Sequence, residues 1–152
     1  MFNQRLISAL VAAEFSSRYY ELCRAHNQFS GTCRCPHPEV VKALEGLGET
    51  KKLGGPGRVY SVRGPEQKNG VQFSFVIQGG ITAEMCLGFE DIEEPNGSNF
   101  AVLAYCANQA AGGAEPAPPY PRPNFHTPSE LREVISVGIE LSNDVARKLY
   151  AS

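Results

Sequence analysis

Val71-Gln72-Phe73-Ser74-Phe75-Val76-Ile77-Gln78, then Gly79-Gly80, then Ile81-Thr82-Ala83-Glu84-Met85-Cys86-Leu87-Gly88-Phe89, is the stretch that decides the fold. In the first run Val71, Phe73, Phe75 and Ile77 alternate with Gln72 and Ser74, the period-two pattern of a half-buried strand. The second run presents Met85, Leu87 and Phe89 on one face, and the glycine pair between the runs signals a hairpin turn. Outward from this pair, residues 58–62 and 99–107 read as two more strands, the latter rich in Val, Leu and Tyr. The connections at 64–70, 79–80 and 90–98 are short or carry turn residues, which predicts an antiparallel meander of about four strands. One polar and one apolar face predict a sheet covered on one side only.

Helices flank the strands. Residues 3–26 carry Leu6, Leu10, Ala13 and Tyr20 beside Ile7, Val11, Phe15 and Leu22, a wide apolar stripe at helical spacing. A Gly/Cys/Pro loop at 29–37 ends that helix. Pro38 starts a short second one through Val40, Val41 and Leu44, and residues 51–58 read as a glycine-rich turn. Residues 109–126, with Pro116, Pro118, Pro119, Pro121 and Pro123, form a semi-extended crossing in which Tyr120 and Phe125 are the expected anchors. The spacing of prolines also suits a domain that reads polyproline helices. At Thr127-Pro128-Ser129-Glu130 a cap, a first-turn proline and a capping-box glutamate coincide. Leu131, Val134, Ile135, Leu141, Val145 and Leu149 then make the buried stripe of a helix to about Tyr150. Helices segregated from a strand meander define an α+β fold, with the C-terminal helix packed on one face.

The 152 residues suit a single domain over 1–152, and a chain of that length buries about 68–70 % of its unfolded surface without needing a disulfide or metal. An apolar run from Leu6 to Ala13 is cut off by Glu14, far short of the roughly 20 residues that span a bilayer, so no membrane partner is expected. The same run belongs to a core helix, or else residues 1–13 act as a signal that sends the chain to the periplasm. An odd count of five cysteines does not suit a complete disulfide framework and points to the cytoplasm.

Charge is distributed unevenly. Residues 1–70 hold ten of the 14 Lys/Arg but only six of the 16 Asp/Glu, so the second half is strongly acidic. A net charge of −2 argues against a general nucleic-acid binder. Glu90, Asp91, Glu93 and Glu94 crowd the connection before Pro95-Asn96-Gly97, and Glu84 and Glu115 extend the acidic set. Such a cluster either keeps a hairpin solvated or meets a cationic protein, where complementary charge speeds association and sets register. A turn of this kind buries little, so reversing its charges is expected to leave folding intact. The loop lacks the alternating acids and closing glutamate of a calcium site.

Cys23, His26, Cys33, Cys35 and His37 fall within fifteen residues and carry the thiol and imidazole groups that tetrahedral zinc prefers. No Cys-x-x-Cys pair is present, and ordinary loop and helix-end residues are the alternative. Gly54-Gly55-Pro56-Gly57-Arg58, behind Lys51 and Lys52, lacks the spacing of a phosphate-binding loop but is similar to the wing of a winged helix. Arg24, Arg34, Lys51, Lys52, Arg58 and Arg63 would then line a nucleic-acid face. No nucleophile, base and stabiliser converge by spacing, so a binding protein is expected rather than an enzyme, with no cofactor unless the cysteine cluster takes zinc.

In size, α+β layout and acidic hairpin, the whole chain resembles the immunity proteins of bacterial toxin systems. That resemblance implies a tight complex in which Glu90, Asp91, Glu93 and Glu94 occlude the active site of a basic toxin.

Overall fold

The computed structural model describes residues 2–151. Its elements run α1 (Gln4–Ala12), α2 (Phe15–Ala25), α3 (His37–Ala43), β1 (Glu49–Lys52), β2 (Arg58–Arg63), β3 (Val71–Gln78), β4 (Thr82–Phe89), β5 (Gly97–Asn99), α4 (Phe100–Ala110) and α5 (Pro128–Tyr150). The strands form one antiparallel sheet in chain order, an α+β fold. At its centre β3 pairs with β4 from Val71 opposite Phe89 to Gln78 opposite Thr82. Gly79 and Gly80 turn the chain there at φ 59° and 80°, a region that costs glycine little and other residues more.

Alternation along these strands becomes layering. Val71, Phe73, Phe75, Ile77, Ala83, Met85, Leu87 and Phe89 are buried, while Gln72, Ser74, Glu84 and Cys86 point to the opposite, open face. On the apolar face lies α5, with Leu131, Val134, Ile135, Leu141 and Val145 fully buried. The helix comes closest at Gly138, where a Cβ would stand 2.3 Å from the Met85 sulfur and 3.0 Å from the Phe73 ring. α1 packs on both α5 and α4, and α2 packs on α4 through Phe15 and Phe100, whose ring centroids are 5.0 Å apart. The start of α5 follows its capping signal: the Glu130 amide donates to Thr127 Oγ1 at 3.1 Å, and the Glu130 carboxylate accepts from the His126 amide at 2.9 Å.

Four expectations need correction. Residues 99–107 are not a strand: β5 ends at Asn99, whose Oδ1 accepts from the Val102 amide at 2.9 Å and so caps α4. The buried set Phe100, Leu103, Ala104 and Ala107 recurs at helical spacing, and a short apolar run cannot distinguish the two periods without its alanines. The helix expected over 3–26 is two, broken at Glu14, which takes the left-handed conformation at φ 55°. The break costs roughly 1–2 kcal/mol, but it lets α2 turn Phe15 and Tyr19 against Phe100. Lys51 and Lys52 belong to β1 rather than to a turn, and with β5 they bring the sheet to five strands. In the proline-rich crossing Phe125 is a buried anchor, but Tyr120 is 51 % exposed and only leans on Tyr105.

That crossing runs along the start of β4. Ala83 donates to the Pro123 carbonyl at 3.1 Å, Phe125 donates to the Ile81 carbonyl at 2.7 Å, and Tyr19 Oη donates to the Pro121 carbonyl at 2.7 Å. No helix among the described residues is long and apolar enough to cross a membrane, and α1 buries Leu6, Ala9 and Leu10 in the core.

Candidate functional site

Residues 90–96, which join β4 to β5, are held from several sides. Ile92 points inward and is 8 % exposed, while Glu90, Asp91, Glu93 and Glu94 are exposed. Asn96 Nδ2 donates to the carbonyls of Phe89 and Ile92 at 2.7 and 3.4 Å. From the N-terminus, the Asn3 amide donates to the Pro95 carbonyl at 2.9 Å and Asn3 Nδ2 to the Glu93 carbonyl at 3.1 Å. The Glu90 amide donates to the Gly70 carbonyl at 2.8 Å. Glu94–Pro95 is a cis peptide. A loop tethered by its own backbone loses little entropy when something binds it.

The four carboxylates differ in their freedom. Glu90 accepts from Gln72 Nε2, and Asp91 accepts from the Tyr150 hydroxyl. Burial, reinforced by the Asp91 carboxylate, pushes the Tyr150 phenol up to about 12, so it remains a donor at neutral pH. Glu93 and Glu94 have no side-chain hydrogen bond or ion pair among the described residues. Glu84 does not extend this patch. It lies on the open sheet face six residues before Glu90, roughly 20 Å along the strand, 3.5 Å from Arg122 and 3.2 Å from Gln78 Nε2. Glu115 accepts from the Tyr105 hydroxyl instead.

Proximity in sequence does not bring the cysteines and histidines together. Cys23 is buried in α2, and burial pushes its thiol up to about 12 against a smaller opposing effect from the Tyr19 hydroxyl. His26, just past α2, sits 3.7 Å from Glu133. Cys35 is buried in the loop, where its carbonyl accepts from Arg58; burial raises both its thiol and that of Cys33. His37 opens α3 and stacks on Tyr60, ring centroids 5.8 Å apart. No group of three or more His, Cys, Asp or Glu among the described residues is arranged to hold a metal ion.

The basic residues are also spread out. Arg24 lies on α2, Lys51 and Arg63 share the open sheet face at its β1 end, and Arg58 is turned toward Cys35. Folding makes one polar cleft that spacing did not reveal. His26, Asn124, His126, Glu130 and Glu133 line about 680 Å³ between the end of α2 and the start of α5. His126 Nε2 is 2.8 Å from the Ser30 carbonyl, and Asn124, 1 % exposed, keeps an Nδ2 without a partner among the described residues. Of its lining, His26 reads with the Cys/His cluster and Glu130 as the capping-box glutamate, and neither reading points to a cleft.

The chain matches no protein-family model, no curated protein and no solved structure.

Proposed function

We propose that this is a binding protein that neutralises a basic partner protein, a toxin by its resemblance to immunity proteins, through the acidic loop at 90–96. The observation that supports the reading is the tethering of that loop. Hydrogen bonds donated by Asn3 and by the Asn96 side chain, the bond from the Glu90 amide to the Gly70 carbonyl, and the buried Ile92 hold exposed carboxylates in one arrangement. A loop that served solubility alone has no need of such constraint. Preorganised like charges raise the potential a cationic surface meets, steering encounter and setting register. Glu93 and Glu94, free of internal partners, make first contact, and Glu90 and Asp91, braced by Gln72 and Tyr150, define the loop's flank. Five thiols, two of them buried as small apolar groups, support a reducing compartment such as the cytoplasm.

Because Glu90 and Asp91 also brace the fold, the decisive variant is Glu93→Lys with Glu94→Lys. The tagged protein is expected to recover one stoichiometric basic protein from its source cells. The double variant should fold normally and associate with that protein at least about tenfold more slowly at low salt, with the difference shrinking as salt is added. Equal association rates for the two forms would rule the loop out as the binding surface.

A further inference from the structure

A second feature lies away from the acidic loop and shares no residue with it. Between α2 and the proline-rich crossing is a pocket of about 310 Å³, the low end of the range for small-ligand sites. Its walls are apolar: Tyr20 and Cys23 from α2, Phe29 from the following loop, and Pro118 and Pro121 from the crossing. Phe29 is 58 % exposed, an aromatic ring left at the rim with no core to cover it. The Cys23 thiol, held protonated by burial, serves as apolar wall rather than as a nucleophile.

The charged groups around this pocket have one sign, beside the neutral Asn27. Arg24 and Arg122 line it, and no Asp or Glu does. Arg122 is engaged by Gln78 and by Glu84 at 3.5 Å. Arg24 has no ion pair or hydrogen bond among the described residues. The Tyr20 hydroxyl in the wall is shielded from solvent and has no hydrogen-bond partner among the described residues. A guanidinium without a counterion beside an apolar recess, in a chain whose net charge is −2, fits a guest with an apolar body and one anionic end.

We infer that this pocket binds a small amphipathic carboxylic acid, aromatic or medium-chain, with its body between Phe29 and the prolines and its carboxylate on Arg24. Arg122, already braced by Glu84, closes the rim and adds positive potential. The crossing segment is then one wall of a site as well as a connection.

Calorimetric titration of the full chain with 1-naphthoate and octanoate, each against its neutral alcohol, tests this. Saturable one-to-one binding of an acid at least about tenfold tighter than its alcohol is expected. Arg24→Gln should abolish that preference while leaving alcohol binding alone, and Phe29→Ala should weaken acid and alcohol together. Both residues are exposed, so unchanged thermal midpoints confirm that each variant folds. No saturable binding at millimolar acid, equal binding of acid and alcohol, or a preference that survives Arg24→Gln would each overturn the assignment. Tighter binding of a peptide ending in an apolar residue with a free carboxylate would also overturn it, by assigning the pocket to a protein terminus.

Discussion

Two connections between antiparallel strands, residues 53–57 after β1 and residues 90–96 after β4, differ in charge, the first uncharged between basic flanks and the second acidic, and in how they are held. Lys51, Lys52 and Arg58 flank the first, whose Gly54, Gly55 and Gly57 have no atom within 4 Å of a would-be side chain. The second buries Ile92, and its backbone is bonded to Asn3, Gly70 and the side chain of Asn96. Each is a turn by composition. Only the second is held by the rest of the molecule, and that difference, more than the sign of charge, marks it as a surface with a defined shape.

Four experiments bear on this contrast. Ile92→Ala should cost about 3 kcal/mol in urea denaturation, as expected for an isoleucine removed from a packed site, whereas Leu53→Ala, at a side chain 42 % exposed, should stay within about 0.5 kcal/mol. Similar costs for the two would mean that the acidic loop is no better packed than the basic one. Gly97→Ala comes next: its Cβ would stand 2.5 Å from the Leu87 carbonyl oxygen, so backbone must shift. A loss of about 2 kcal/mol is expected, against almost none for Gly54→Ala, where the space is open.

Asn96→Ala removes two loop-closing hydrogen bonds, and about 1 kcal/mol should be lost. Faster amide exchange confined to residues 90–96 would accompany it; uniform exchange rates before and after would deny the tether. The smallest effect is a pH dependence. Burial and Asp91 raise the Tyr150 phenol from 10.0 to about 12, so the folded state holds its proton longer than the unfolded chain does. That contribution to stability is complete below pH 10 and is lost as pH rises toward about 12. Tyr150→Phe should flatten part of the decline between about pH 10 and 12, with the remainder belonging to Tyr19 and Tyr20, which burial also raises. An unaltered slope would show that Tyr150 does not titrate against the loop.

Much of the fold was legible where a signal was local and long. The alternation in β3 and β4 and the capping box of α5 each repeat one period over enough residues to exclude the other. Residues 99–107 were not legible in this way, because an apolar run of that length suits either period and the Asn99 cap settles it only once Val102 is in place. Glu14 gave no local sign of a break, since the left-handed turn there is favoured by Phe15 meeting Phe100, far along the chain. The acidic residues of the candidate site could be read directly. Their tethers could not, because Asn3, Gly70 and Tyr150 are distant in sequence; the Cys/His cluster is the converse, near in sequence while His26 and His37 meet different neighbours.

By itself the sequence determined the α+β layout, the central hairpin, the C-terminal helix and the segregation of charge, all of which follow from periodicity, capping and composition over neighbouring residues. Tertiary structure alone decided that α1 and α2 part at Glu14, that residues 100–110 form a helix, that Glu90 and Asp91 are braced while Glu93 and Glu94 stand free, and that Arg24 faces an apolar pocket. The reason is physical: local signals set backbone preferences worth tenths of a kcal/mol to about 1 kcal/mol per residue, while burial of a large side chain is worth about 1.5–3 kcal/mol and depends on partners that only the folded chain brings together.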